Sequence, residues 1–110
     1  MSPNPIQLIE YQDHRGRIPF REWLDSLRDV QTQATIDARL TRVRRGNFGN
    51  CRSVGGGIQE LKIDIGPGFR VYFGREGNDL VLLLCGGDKR SQSTDITRAK
   101  LYWADYKEHD

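Results

Sequence analysis

The sequence predicts a single α+β domain, ordered β-α-α-β-β-β-α, with helices towards both ends and hairpins in the middle. Three observations predict it. Eleven of the twelve glycines fall between Gly46 and Gly87, and none falls in 18–45 or 88–110. Glycine weakens a helix interior by about 1 kcal/mol and marks turns, so the middle reads as hairpins and the flanks as helices. The flanks repeat apolar residues at helical spacing, whereas the middle alternates apolar with polar. Finally, 110 residues suffice for one domain (1–110) and not for two.

Ile6-Gln7-Leu8-Ile9-Glu10-Tyr11 reads as a strand closed by the polar turn Gln12–Gly16. Pro19 suits a first helical position, and Phe20, Trp23, Leu24 and Leu27 follow on one face. Asp29 is placed to cap a second helix that runs to about Arg45 with the stripe Ile36, Leu40, Val43, ended by Gly46. Leu61–Ile65 and Phe69–Phe73 alternate on either side of Gly66-Pro67-Gly68, which reads as a hairpin. A three-residue loop pairs 65 with 69, 63 with 71 and 61 with 73, because only odd loop lengths keep one face dry. That register leaves Asp64 opposite Arg70 and Lys62 opposite Tyr72 on a wet face. Leu80–Cys85 is apolar on both faces and reads as a central strand. Ser91, Ser93 or Thr94 caps a last helix with the stripe Ile96, Ala99, Trp103, Tyr106.

Composition narrows the class. Apolar residues make up 36% of the chain, an ordinary globular share once glycine is added. The longest apolar run, Leu80–Cys85, is far short of a bilayer span, and Pro3, Asn4 and Pro5 interrupt any leader core, so a cytoplasmic protein is expected. Cys85 closes the apolar run as a small hydrophobe. Cys51 lies in a Gly/Asn/Arg loop, and a disulfide between the two is not expected in a reducing compartment. His14 and His109 stand at opposite ends and form no ligand cluster, so neither metal nor cofactor is expected.

Three features point to chemistry. The net charge is only +2, yet residues 39–59 carry Arg39, Arg42, Arg44, Arg45 and Arg52 with no acid. Such a stretch attracts phosphate; a solvated helix face is the bland alternative. The thirteen arginines against four lysines favour bidentate phosphate contact. Next, Lys62, Arg70 and Tyr72 share the wet face, where a tyrosine between cations can stack a base; an Asp64–Arg70 ion pair is the alternative. Last, Gly86-Gly87-Asp88-Lys89-Arg90-Ser91 joins a strand to a helix N-terminus, which suits an anion or is a plain turn.

The motifs Pro19-Phe20-Arg21-Glu22-Trp23-Leu24, Gly46-Asn47-Phe48-Gly49, Gly55-Gly56-Gly57-Ile58-Gln59-Glu60-Leu61, Gly66–Phe73 and Leu82–Lys89 together carry a resemblance. The chain resembles the RelE/ParE superfamily of toxin–antitoxin toxins, within it the HigB-like, phage Gp49-like addiction module killer proteins. The resemblance implies a small antiparallel-dominated sheet with two N-terminal helices packed on it and a C-terminal helix. It implies a toxin neutralised by a helix-turn-helix antitoxin. RelE- and HigB-like members cut mRNA without metal, typically in the ribosomal A site. ParE-like members inhibit DNA gyrase instead, and a degenerate copy would only bind its antitoxin, with Leu101 and Tyr102 as part of that interface. For the ribonuclease, Arg70 falls on the arginine that contacts the scissile phosphate. Lys62 lies near a lysine of the preceding strand, and Lys89 or Arg90 fills the basic position after the last strand. Lys62 or Tyr72 would transfer protons, while Arg42, Arg45 and Arg52 would steer RNA. The tyrosine that RelE places beyond the last strand has no counterpart where Asp95 and Ile96 stand, and the histidine of some HigB toxins would fall on His109.

Overall fold

The computed structural model describes residues 5–109; the Pro3–Asn4 interruption of the start lies outside them. Five strands and three helices follow one another as β1 (Gln7–Glu10), α1 (Pro19–Ser26), α2 (Val30–Arg44), β2 (Cys51–Gly55), β3 (Ile58–Ile63), β4 (Phe69–Glu76), β5 (Leu80–Gly87) and α3 (Gln92–His109). The strands form one sheet in the order β1-β5-β4-β3-β2. β1 runs parallel to β5 and every other pair is antiparallel. The molecule is therefore an α+β domain with a mixed, mainly antiparallel sheet. Among the described residues, no helix is long and apolar enough to cross a membrane.

Helices cover both faces. On one, Phe20 and Leu24 of α1 and Ile36, Leu40 and Val43 of α2 pack with Leu61, Ile63, Val71, Phe73, Val81 and Leu83. On the other, Ala99 and Trp103 of α3 pack with Tyr11, Ile58, Tyr72, Leu82, Leu84 and Cys85. The β4–β5 register slips between Tyr72 and Phe73. A bulge there lets Leu84 and Cys85 both contribute to the α3 side.

Local chemistry fixes the ends of the helices. Pro19 opens α1. The Asp29 carboxylate accepts from the Gln31 N–H and the Thr32 hydroxyl, both at 3.0 Å, satisfying a first-turn donor of α2. At the other end Gly46 takes φ +87°. Its N–H donates to the Val43 carbonyl, and the Asn47 N–H donates to the Arg42 carbonyl, at 2.9 Å each. This is the paired closure of a Schellman motif.

Three expectations need correction. First, the segment read as a loop around Cys51 is strand β2, so four strands, not three, follow α2. Cys51-Arg52-Ser53-Val54-Gly55 lacks alternation because β2 is a half-exposed edge strand held to β3 by backbone hydrogen bonds. Its hairpin turns through Gly56 and Gly57, both at positive φ, as a two-residue primed turn requires. Second, the β3–β4 register is shifted by two residues: Ile63 pairs with Phe69, Leu61 with Val71 and Glu60 with Tyr72. The loop widens because Ile65 folds back, its N–H on the Ile63 carbonyl and its own carbonyl taking the Gly68 N–H. Parity is preserved, so the dry face stays dry, but Lys62 now stands opposite Arg70, and Asp64 has left the strand. Third, the supposedly wet face is roofed by α3, which leaves Tyr72 fully buried and Arg70 6% exposed.

The Gly86-Gly87 pair also has a packing reason. A methyl on Gly86 would overlap the Trp23 ring, and one on Gly87 would overlap the Asp95 carboxylate. These glycines admit α1 and α3 close to β5. Gly86→Ala should therefore cost about 1–3 kcal/mol through overpacking. Urea unfolding followed by tryptophan fluorescence should show a lower midpoint at unchanged slope.

Candidate functional site

At the end of the sheet where β3 finishes and β4 begins, a cleft of about 350 Å³ is lined by Asn50, Arg52, Glu60, Lys62, Arg70 and Gln92. β2, β3, β4 and the first turn of α3 each contribute a side chain. Three of the lining residues are cationic and one is anionic, so the cleft carries a net positive charge.

Glu60 organises it. The carboxylate is 2% exposed and accepts from Arg52 Nε at 3.0 Å, Gln92 Nε2 at 2.8 Å and the Tyr72 hydroxyl at 3.0 Å. Burial pushes its pKa up, but the hydrogen bonds from Gln92, Arg52 and Tyr72 outweigh it and hold the carboxyl below its ordinary value. Glu60 is thus ionised at neutral pH. Burial, with the adjacent Glu60 charge, raises the Tyr72 phenol well above its ordinary value, so its proton stays on the oxygen. Tyr72 offers neither a ring for base stacking nor a phenolate.

Arg70 is the other buried charge. Nη1 donates to the Gly68 carbonyl at 2.7 Å. Nε lies 3.8 Å from Glu60 Oε2 and has no hydrogen-bond partner. A buried donor left open costs about 1–3 kcal/mol, so Arg70 Nε is an uncompensated donor at the base of the cleft. Lys62, directly opposite on β3, is half-exposed, and its Nζ lies 3.6 Å from Asp64 Oδ1.

Apart from Arg52, the other candidate residues stand outside this cleft. Lys89 and Arg90 are exposed on the β5–α3 turn, next to Gly87, which pairs with Arg70, but outside the lining. The arginine-rich stretch divides. Arg39 spends its guanidinium on the carbonyls of Lys62 and Phe48, at 3.0 and 3.1 Å, and serves the fold. Arg52 is paired with Glu60, the first acid after the acid-free stretch. Arg42 is exposed on α2, while Arg45 lines a different cleft. His109 ends α3, with its ring on the Asp105 carbonyl at 2.9 Å. A helix of this length puts it about 25 Å from Gln92. Leu101 is exposed, whereas Tyr102 stacks on Tyr11 at 5.0 Å and accepts from Arg98.

A second polar cleft, of about 530 Å³, lies between α1, the end of β5 and the start of α3. Its buried acid is Asp95, to which the Ser91 hydroxyl donates and from which Arg98 Nη1 lies 3.9 Å away. Burial raises the Asp95 pKa against the lowering pull of Ser91 and Arg98. Cys85, beside it, is pushed up to about 12 by burial and by the Asp95 charge, so it stays a thiol.

No protein-family model matches the chain. Over 84 residues, covering 76% of this chain and 85% of the other, it is 49% identical to an uncharacterized protein of Haemophilus influenzae. The chain belongs to that protein's family.

Glu60 and Gln92 went unnoticed in the sequence. Glu60 had one weak sign, its place as the first acid after twenty-two residues without one. Gln92 had none, because only the folding of α3 across the sheet brings it to Glu60.

The two buried carboxyls should have opposite effects on acid stability. Glu60 has a lowered folded-state pKa, so its contribution is full above the unfolded value and is lost as pH falls through the folded one. Asp95 has a raised one, so its penalty at neutral pH is relieved as pH falls through that value. Thermal melts across the acid range should show Glu60→Gln flattening the acid limb. Asp95→Asn should stabilise at neutral pH, with the gain vanishing in acid. Glu60→Ala, which strands Arg70, should cost about 3–5 kcal/mol.

Proposed function

We propose that the chain is the toxin of a type II toxin–antitoxin pair, a HigB-like member of the RelE/ParE superfamily that cuts mRNA on the ribosome without metal and so blocks translation. The observation that carries this reading is the unpartnered Arg70 Nε, buried in a cationic cleft and facing Lys62 across the β3–β4 pair. The motifs Pro19–Leu24, Gly55–Leu61 and Gly66–Phe73 above all support it through the resemblance.

RNA supplies its own nucleophile. The 2′-hydroxyl attacks the adjacent phosphorus, the bond to the 5′-oxygen breaks, and a 2′,3′-cyclic phosphate is left. The protein's tasks are to stabilise the added negative charge and to move protons at the attacking and leaving oxygens. Arg70 Nε donates to a non-bridging oxygen, with Lys62 as the second cation. Lys89 and Arg90 hold the flanking backbone, and Arg52 and Arg42 steer the RNA, giving a steep loss of binding with salt. Tyr72 holds Glu60 and takes no part in proton transfer. That task falls to Lys62, assisted by groups of the ribosome.

A second reading has an observation in its favour. The buried carboxylate and phenol of the cleft are bound to each other and so are withdrawn from proton transfer, which favours a non-catalytic gyrase inhibitor. The two separate in one experiment. When mRNA is incubated with ribosomes and purified protein, new 5′ ends should appear. Lys62→Ala should reduce them by about a hundredfold, the usual loss for one transition-state donor, with melting unchanged. Arg70→Ala should abolish them, provided circular dichroism shows it folded. Absence of new ends with the wild-type protein, together with trapped gyrase–DNA cleavage complexes on induction, would establish the gyrase reading instead.

A further inference from the structure

A third cleft, of about 620 Å³, lies at the other end of the sheet, lined by Pro5, Ile6, Arg44, Arg45, Gly46, Phe48, Arg75 and Asn78. Arg70 and Arg75 are five residues apart on β4, so the two cationic clefts stand about 17 Å apart along the strand. They also open on opposite faces, because the odd positions of β4 face α1 and α2 whereas Arg70 and Tyr72 face α3.

The chemistry of this cleft differs from that of the Arg70 site. Arg44, Arg45 and Arg75 are all exposed, and among the described residues none is in an ion pair. No carboxylate lines it. At the Arg70 cleft, by contrast, Glu60 supplies an internal anion. Three cations held close together without a counter-charge repel one another, and an external anion removes that cost. The guanidinium of Arg75 lies over the Phe48 ring at 4.6 Å and its Nη2 donates to the Asn78 carbonyl at 3.4 Å, which together fix its plane and leave Nε and Nη1 to meet a carboxylate.

The apolar part of the cleft decides between anions. Phe48 is the aromatic residue of the lining, and its ring already packs against Phe73 and carries Arg75. A nucleic-acid base therefore finds no ready stacking platform. What remains is aliphatic: Ile6 and Pro5 beside the Phe48 edge. Aliphatic surface next to arginines suits alternating acidic and aliphatic side chains, in which carboxylates and a Leu- or Ile-sized group arrive together.

We propose that this cleft docks an acidic, aliphatic peptide segment of a partner protein, its carboxylates bridging Arg44, Arg45 and Arg75 and an aliphatic side chain lying on Ile6 and Phe48. The proposal is independent of whether the Arg70 cleft cuts RNA. It assigns Arg45 to a protein partner instead of to RNA.

Fluorescence anisotropy on the full chain tests it with three labelled probes: a peptide alternating glutamate and leucine, the same peptide with serine for leucine, and an oligouridylate of equal charge. The glutamate–leucine peptide should bind saturably. Arg45→Glu combined with Arg75→Glu should weaken it by about tenfold or more, as expected for reversing charges at a complementary interface. Arg90→Glu, near the other cleft, should leave it unchanged. The serine peptide should bind more weakly, and oligouridylate should not compete. Should the charge-reversed protein melt early, Arg45→Gln with Arg75→Gln replaces it and should still weaken binding. No saturable binding, binding that survives both double substitutions, equal binding of the serine peptide or displacement by oligouridylate would each overturn the proposal.

Discussion

Burying a carboxylate costs several kcal/mol unless donors surround it, and Glu60 meets that condition by drawing on three other elements of the fold. β2 supplies Arg52, β4 supplies Tyr72 and α3 supplies Gln92. Arg70, also on β4, is the counter-charge that is near but not bonded. Tyr72 and Arg70 are buried against this anion, while Arg52 and Gln92 reach it from the rim. The edge strand, the central sheet and the last helix are thus fastened at one point, and the open donor of Arg70 is a by-product of that arrangement. The cleft's positive character survives because Glu60 neutralises only part of it.

This arrangement explains why the charge total of the chain is a poor guide to its surface. The five arginines of 39–59 look like one patch along the sequence. In space Arg39 braces two carbonyls, Arg52 faces α3, and Arg44 and Arg45 turn towards Arg75 at the far end. Two cationic clefts on opposite faces have different internal chemistry: one has its own carboxylate and the other has none.

Much of the fold was legible because it rests on local rules. The Pro19 start, the Asp29 cap, the Gly46 closure and the stripe Ile36, Leu40, Val43 are each set by neighbours within a turn or two. What was illegible depends on distant partners. β2 has no hydrophobic pattern because its stability is borrowed from β3's backbone. The β3–β4 register obeyed parity, which periodicity sets, yet slipped by two residues, which the Ile65 turn sets. The alternation of β3 and β4 marks one face as polar, but a polar face can be roofed when most of its groups satisfy one another. Of the site, Arg70 and Lys62 were legible as cations on that face, whereas Glu60's role required Gln92 from across the chain.

The parallel pairing of β1 with β5 has a consequence for how the chain comes into being. Gln7 sits beside Leu80, so of the five strands of this sheet the first to be made pairs with the last. Closing so long a loop carries an entropy that local hairpins do not, and contacts of this kind slow folding. The β2–β5 meander can assemble from adjacent segments while Gln7–Glu10 waits as an exposed apolar tail. The sheet is complete only when its oldest strand docks beside its youngest, so that docking comes late in assembly.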